Sequence, residues 1–357
     1  MLSSLQMVAS KALGGAERWF MRFSAALAEQ GAPTQLAIRA GSELERLDGG
    51  PLPLHRLPFR TVWDPVSRFA VTRLIRELEP DIVQTYMGRA TRLTRLPRGR
   101  GPVHIARLGG YYKLSAYRHA HAWIGNTKGL CDYLIHNGLP ASRVFHIYNF
   151  IDPPAPLPAE RVAAVRSGLG VPDDAWLLLT PGRFVPVKGH RYLIDALARL
   201  PERIAGRPLR LVLLGDGALG ARLETQARQL GVAERIVWAG WQQEPAPFFE
   251  LADLVVFPSL ELETFGNVIL EAWAHRRPLL TSLFRGAREI ARPGEDALCV
   301  PCADPAALAR GVQTLLGDAA LRRALATSGQ ERVRRDFGRV PIVRQYLDLY
   351  QRLGAAR

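Results

Sequence analysis

Short apolar runs rich in leucine and β-branched residues alternate, along nearly the whole chain, with segments whose apolar positions recur every three or four residues. In the first half the runs Leu5–Ala9, Thr34–Arg39, Asp81–Tyr86, Val103–Arg107, Ala122–Asn126 and Val144–Tyr148 predict strands. The segment after the first run carries Ala16, Phe20, Phe23 and Leu27 on one helical face. The Pro-rich stretch Asp152–Pro158 can continue neither a helix nor a central strand, and it reads as a linker. A second series follows, with strands predicted at Trp176–Thr180, Leu209–Leu214, Arg235–Ala239, Leu254–Pro258, Pro278–Thr281 and Leu298–Val300, and helices such as His190–Leu200 and Ala218–Leu230 between them. Strands separated by helices call for parallel sheets with right-handed crossovers. The expected class is α/β: two doubly wound domains facing across a cleft, with ligands outside the carboxyl ends of the strands.

Composition narrows the function. The 357 residues are 48% hydrophobic and 22% charged, ordinary for a globular chain, which excludes disordered and fibrous classes. No run reaches the ~18 apolar residues of a membrane span, and Met1–Ser4 does not begin a signal peptide; a cytoplasmic protein is expected. Basic residues outnumber acidic ones 47 to 33, with 43 arginines and four lysines. Such a surface favours anions, although a GC-rich coding bias also enriches arginine. Three cysteines make no disulfide framework. Cys299 and Cys302 form a CxxC without a second ligand pair, so no metal site is expected.

Four motifs carry candidate chemistry. Gly215–Gly220 fits GxGxxG after a strand, but the following strand ends without the acid that would bind a ribose, and a tight strand-to-helix turn explains it. In Pro181–His190, Arg183 and Lys188 flank a Pro-constrained loop that ends at a helix N-terminus; two cations and free N–H groups suit a diphosphate. After the strand at Leu254 comes an E-x7-E pair, Glu263 and Glu271, with Thr264, Phe265, Gly266 and Asn267 leading into a helix. Two carboxylates at that spacing can grip separate hydroxyl-bearing parts of one ligand, and the N–H groups between them can take a phosphate; Glu261 reads as surface charge. In Lys11–Arg18, Gly14 and Gly15 let the backbone approach a ligand at a helix start, as in any tight β-to-α turn. Arginines also recur at 89, 92, 95, 98 and 100, a ladder suited to phosphates or an anionic leaflet; a solvated basic face is the plain alternative.

The run Gly14–Glu17, the segment Gly182–His190, Leu214–Gly217 and the Glu263–Glu271 pair, in this order, resemble the nucleotide-sugar glycosyltransferases of the GT-B fold, family four. Leu108–Tyr112 and Tyr117–Ala120 look like members that build bacterial surface polysaccharide or lipopolysaccharide. The resemblance implies an acceptor-binding Rossmann-like domain at 1–151, a linker at 152–174, a donor-binding Rossmann-like domain at 175–340, and a C-terminal helix at 341–357 that packs back on the first domain. It implies a retaining transfer of sugar from a nucleotide diphosphate donor to a saccharide or glycolipid, without cofactor or catalytic metal. Arg183 and Lys188 would hold the diphosphate, Glu271 the ribose, Glu263 and Thr264–Asn267 the sugar and phosphates, with Glu263, Arg183 and Lys188 at the reacting centre. Trp241 lies in the loop expected to meet the base, and Gly14 and Gly15 would face the donor.

Many members carry a histidine after the strand assigned to Val103–Arg107, where this chain reads Arg107-Leu108-Gly109-Gly110. His119 is the candidate for the acceptor side, with Arg89, Arg92 and Arg95 holding a phosphorylated, membrane-held acceptor; the enzyme would then be peripheral on the inner face of the membrane, with no nucleic-acid partner. A GT-B epimerase or phosphorylase, or a non-catalytic basic lipid- or nucleic-acid-binding protein, are the competing readings.

Overall fold

A computed structural model describes residues 1–12, 14–46, 52–99 and 101–355. Leu13 of the glycine loop and Arg100 of the arginine ladder lie outside the described residues. The chain divides into two compact units, Met1–Asn149 with Arg339–Arg357, and Phe150–Gly338.

The first unit runs β1 (Ser4–Val8), α1 (Gly15–Glu29), β2 (Thr34–Arg39), β3 (Leu54–Leu57), α2 (Pro65–Leu78), β4 (Ile82–Tyr86), α3 (Met87–Leu93), β5 (Val103–Leu108), β6 (Ala122–Gly125), α4 (Lys128–His136) and β7 (Val144–His146). Its seven strands form one parallel sheet in the order β3-β2-β1-β4-β5-β6-β7. The strand order reverses between β1 and β4. Strands covered on both faces need continuous burial, and every residue of β1, β4 and β5 is buried, including His104 and Arg107. Helix α1 turns Trp19, Phe20, Phe23 and Leu27 inward. Asp64 caps α2, its carboxylate accepting from Ser67 N–H at 3.0 Å with Pro65 in the first turn, and Thr127 caps α4.

The second unit runs α5 (Ala159–Gly168), β8 (Trp176–Pro181), α6 (His190–Leu197), β9 (Arg203–Ile204), β10 (Arg207–Leu214), α7 (Gly220–Gln229), β11 (Ile236–Trp238), α8 (Ala246–Leu251), β12 (Leu254–Phe257), α9 (Asn267–Ala274), β13 (Leu279–Ser282), α10 (Arg285–Ile290), β14 (Leu298–Val300), α11 (Pro305–Gly317) and α12 (Ala319–Asp336). Its parallel strands order as β11-β10-β8-β12-β13-β14, with β9 antiparallel on β10. Here the order reverses between β8 and β12. The last helix, α13 (Arg339–Ala355), belongs to the first unit, where the Tyr350 hydroxyl donates to Gln84 Oε1 at 3.0 Å and accepts from Gln6 Nε2 at 3.2 Å.

The arrangement is α/β throughout, with one doubly wound sheet in each unit. The sequence reading misses β3 and β9. Only Leu57 of β3 is buried, and His55 and Arg56 break its apolar pattern on an edge strand.

Candidate functional site

In the second unit the site grows from the reversal point between β8 and β12. Two adjacent parallel strands that send their connections in opposite directions leave an opening at their carboxyl ends. The loops after β8 and β12 meet there: Leu260 N–H donates to Val187 O at 2.8 Å. Gly189 makes this contact possible. Its φ is +68°, and a Cβ there would stand 2.0 Å from Pro258 O. Gly266, at φ +80°, likewise has no room for a side chain, because a Cβ would meet the Phe284 ring at 2.6 Å. Helix α9 then starts at Asn267, and the N–H groups of Gly266 and Val268 donate to no described group.

This meeting of loops brings Lys188 and Glu263 together. Nζ of Lys188 lies 2.7 Å from Glu263 Oε2. Ser259 Oγ also donates to Oε2, at 3.4 Å, and the ammonium stands 5.0 Å from the Phe257 ring centroid. The pair is mostly buried, with 19% and 15% of the side chains exposed. Arg183 is exposed and pairs with no carboxylate among the described residues. Glu271 is only partly buried, between buried Leu270 and Ala272 on α9, and its carboxylate is likewise unpaired. Glu261 is different: Arg288 holds it with two bonds of 2.9 and 2.7 Å, and this guanidinium pulls its pKa down. Thr264 and Phe265 are buried, and Trp241 is 56% exposed. Gly215 and Gly217 pack against the neighbouring turn, with Phe184 N–H donating to Asp216 O at 2.8 Å, so this GxGxxG serves backbone packing.

Three residues of this site escape the sequence reading. Ser259 is fully buried beside Glu263, and its position directly after an apolar strand was the available signal. Phe257 underlies Lys188. His190 is buried with neither ring nitrogen paired, and burial, aided by the Lys188 charge, drives its pKa down to about 3.

In the first unit Gly14 caps α1 and Gly15 opens it, at the carboxyl end of β1, and Gly14 O accepts from Arg18 N–H at 3.0 Å. His119 does not reach this edge. It precedes β6 and clusters with His104 and His121 at the amino ends of β5 and β6, with ring centroids 5.5 and 6.3 Å from His104. His119 Nε2 lies 2.8 Å from both Thr91 O and Thr94 O, and its Nδ1 is sealed without a partner. The expectation that His119 meets an acceptor is corrected: strand direction puts it at the end of the sheet away from the ligand edge. The arginine ladder is not one face either. Helix α3 ends at Leu93, before Arg95. Arg89 is spent on the carbonyls of Ala9 and Phe59, both at 3.3 Å, and Arg92 stacks 3.5 Å over the Trp63 ring. Cys299 is free, its thiol pushed up to about 12 by burial, and no group of three metal-ligating side chains forms among the described residues.

Residues 13–154 match the model of the family described as Glycosyltransferase Family 4, and residues 163–332 that of Glycosyl transferases group 1. The chain is 34% identical over 342 residues to the lipopolysaccharide core biosynthesis glycosyltransferase LpsE of Rhizobium meliloti, covering 94% of this chain and 95% of LpsE. It is 32% identical to LpsD of the same organism over 96% of this chain and 97% of LpsD. Among solved structures it superposes on Anabaena HepE in complex with UDP and glucose with a TM-score of 0.84, at 20% identity over 98% of this chain and all of that one. The corresponding score for the sucrose-phosphate synthase of Thermosynechococcus elongatus is 0.85, at 22% identity over 99% of this chain and all of that one.

Proposed function

Since the chain belongs to glycosyltransferase family 4, we propose that it is a retaining transferase that moves a sugar from a nucleoside diphosphate onto a saccharide or glycolipid acceptor in lipopolysaccharide or surface-polysaccharide synthesis. The observation that carries this reading is the Lys188–Glu263 pair, with Arg183 exposed on the same β8 loop. Cations beside unused helix N–H groups match a diphosphate, and a carboxylate beside them matches sugar hydroxyls. Glu271, one turn into α9 and unpaired, fits the ribose hydroxyls.

In this reading the bond from the anomeric carbon to the β-phosphate oxygen breaks, and both electrons leave with the nucleoside diphosphate. Arg183 and Lys188 stabilise the charge that develops there. The acceptor oxygen bonds to the same face of that carbon, and its proton passes to the departing phosphate oxygen, so the route needs no protein base. Fixed cations take the role a divalent metal would otherwise have. Relatives named for lipopolysaccharide core synthesis support the acceptor class. Exposed Trp63, on which Arg92 stacks, with exposed Val66 and Phe69 on α2, supports work at the inner face of a membrane. Among the described residues no helix is long and apolar enough to cross one.

The test is a panel of nucleotide sugars, first for hydrolysis and then for transfer to lipopolysaccharide-core acceptors, with the anomeric configuration of the product read by NMR. Turnover of one donor with retained configuration is expected. Inverted product removes the retaining step, and no turnover of any donor removes the proposal.

A further inference from the structure

Arg107 is a buried cation with no counter-ion among the described residues. It sits near the carboxyl end of β5 and is 4% exposed. Two of its three nitrogens are anchored within the first unit: Nε donates to the Tyr346 hydroxyl of α13 at 3.2 Å, and Nη2 donates to Asn149 Oδ1. The guanidinium lies 4.6 Å from the Trp19 ring centroid and 5.8 Å from that of Tyr86. No described carboxylate pairs with it, Glu17 of the same α1 helix included. The third nitrogen, Nη1, donates to no described residue and is not sealed from solvent.

The space beside Nη1 is kept open. A Cβ on Gly109 would lie 3.7 Å from Arg107 Nη1 and 3.8 Å from Asn126 Nδ2, an ordinary contact distance to each. Gly109 does not have a left-handed φ, so backbone conformation does not demand glycine there. Asn126 is 3% exposed, and its Oδ1 is buried without a partner. Asn126 Nδ2, like Arg107 Nη1, donates to no described residue, so two buried side chains present unused N–H groups beside Gly109 at the ligand edge of this sheet. A buried charge left unpaired is costly, and an unpaired buried amide adds to that cost. An oxyanion beside Gly109 neutralises the guanidinium and accepts from Arg107 Nη1 and Asn126 Nδ2, which removes the cost of the unpaired charge and leaves Oδ1 as it was; the guanidinium is the group best shaped to receive such an anion.

We propose that Arg107, Gly109 and Asn126 form an anion subsite that selects an acceptor bearing a carboxylate or a phosphate. The tyrosine and asparagine anchors fix the guanidinium so that Nη1 faces the gap above Gly109. The role assigned to the anion, as part of an acceptor, rests on the transferase reading; the binding itself does not.

The experiment measures binding of methyl α-glucuronide, glucose 6-phosphate and methyl α-glucoside by NMR titration without donor. At least one of the two acids is expected to bind 10-fold or more tighter than the neutral glucoside, and which acid does so identifies the anion. Gly109→Val fills the gap, and Asn126→Asp places a carboxylate against Arg107; each should abolish the preference while the thermal midpoint reports an intact fold. Arg107→Lys, which keeps the charge and loses the fork, should weaken acid binding at least 10-fold. Equal binding of all three sugars, binding of none, or a preference that survives both Gly109→Val and Asn126→Asp overturns the proposal. Donor hydrolysis by the wild type is read on the same preparation. Its failure alongside an intact acid preference removes the transferase reading and leaves the subsite.

Discussion

Lys188 and Glu263, 75 residues apart, form an ion pair of 2.7 Å with Ser259 as a second donor to the same carboxylate oxygen. The site without donor therefore holds its cation already partly neutralised. A diphosphate must share Lys188 with Glu263 or take it, and the two residues should not behave as independent contributors. Lys188→Ala removes a charge-assisted contact worth roughly 1.5–3 kcal/mol, so kcat/KM for donor should fall ~10-fold or more. Glu263→Gln frees Lys188 for phosphate while weakening the hold on the sugar. It should lower kcat with little rise in donor KM, and the double variant should lose less than the sum of the singles. Steady-state kinetics on the three variants read this; additive losses would mean the pair is not shared.

Arg183 is exposed, Glu271 is partly exposed, and neither side chain pairs with an opposite charge among the described residues, so neither supports the fold. Arg183→Ala and Glu271→Gln should each raise donor KM at least ~10-fold and leave the thermal midpoint unchanged. Glu261→Gln breaks an exposed pair with Arg288, whose side chain is 49% exposed, and a weaker bond with the Cys302 thiol, and should change donor KM little. A larger effect at Glu261 than at Glu271 would show that the other acid of this segment binds the ribose. Because cations serve the phosphates, EDTA should leave turnover intact; full loss restored by a divalent ion would assign that work to a metal.

The sequence made the fold legible wherever a strand is buried on both faces. The runs Asp81–Tyr86 and Val103–Arg107 fall within one residue of β4 and β5, every residue of which is buried, while Thr34–Arg39 and the edge strand Leu298–Val300 are read to the residue with only partial burial. It failed at β3, whose His55 and Arg56 lie on an edge. The loop chemistry at Arg183, Lys188 and Glu263 was visible as residue types, but their pairing was not. It depends on β8 and β12 lying side by side with a glycine at 189 that lets the loops touch. His119 was misplaced for a related reason: spacing along the chain does not say at which end of a sheet a residue falls. The role of Arg89 was missed because backbone carbonyls as partners leave no trace in a sequence.

Four histidines make the fold acid-sensitive. Burial lowers the pKa of His104, His119, His121 and His190, and for His104 the neighbouring His119, His121 and Arg95 reinforce it. A lowered folded pKa means that the unfolded chain binds protons first, once pH drops below about 6.5. Stability is then full above that pH and falls below it, by about 1.4 kcal/mol per pH unit for each histidine still neutral in the fold. For His190 this window extends down to about 3. Urea unfolding at pH 7.5 and 5.5 should show a clear loss at the lower pH. His190→Leu, which replaces a buried ring with two unpaired nitrogens, should flatten that dependence by about one proton; an unchanged slope would mean His190 is protonated in the fold.

Three of the large apolar side chains on the surface fall close together in sequence, at Trp63, Val66 and Phe69, which are 74%, 49% and 69% exposed. Val66 and Phe69 lie three residues apart on α2 and so point to one side, and Arg92 stacks on Trp63. Arg95 is exposed near Arg68 and Arg92, whose charges, after burial, lower its pKa. Aromatic side chains fringed by guanidiniums suit the headgroup boundary of an anionic leaflet, where rings enter the apolar layer and arginines stay with the phosphates. Each basic residue near such a surface contributes ~1 kcal/mol. Trp63→Ser with Phe69→Ser should cut binding to vesicles containing anionic lipid at least ~10-fold and spare donor hydrolysis. Arg92→Gln with Arg95→Gln should weaken the same binding, and salt should mimic it, because exposed charges are screened over ~8–10 Å at physiological strength. Arg89 is left out of the variant because its bonds to Ala9 and Phe59 hold the fold. If the aromatic pair can be removed without loss of vesicle binding, this surface does not meet the membrane and the peripheral location falls with it.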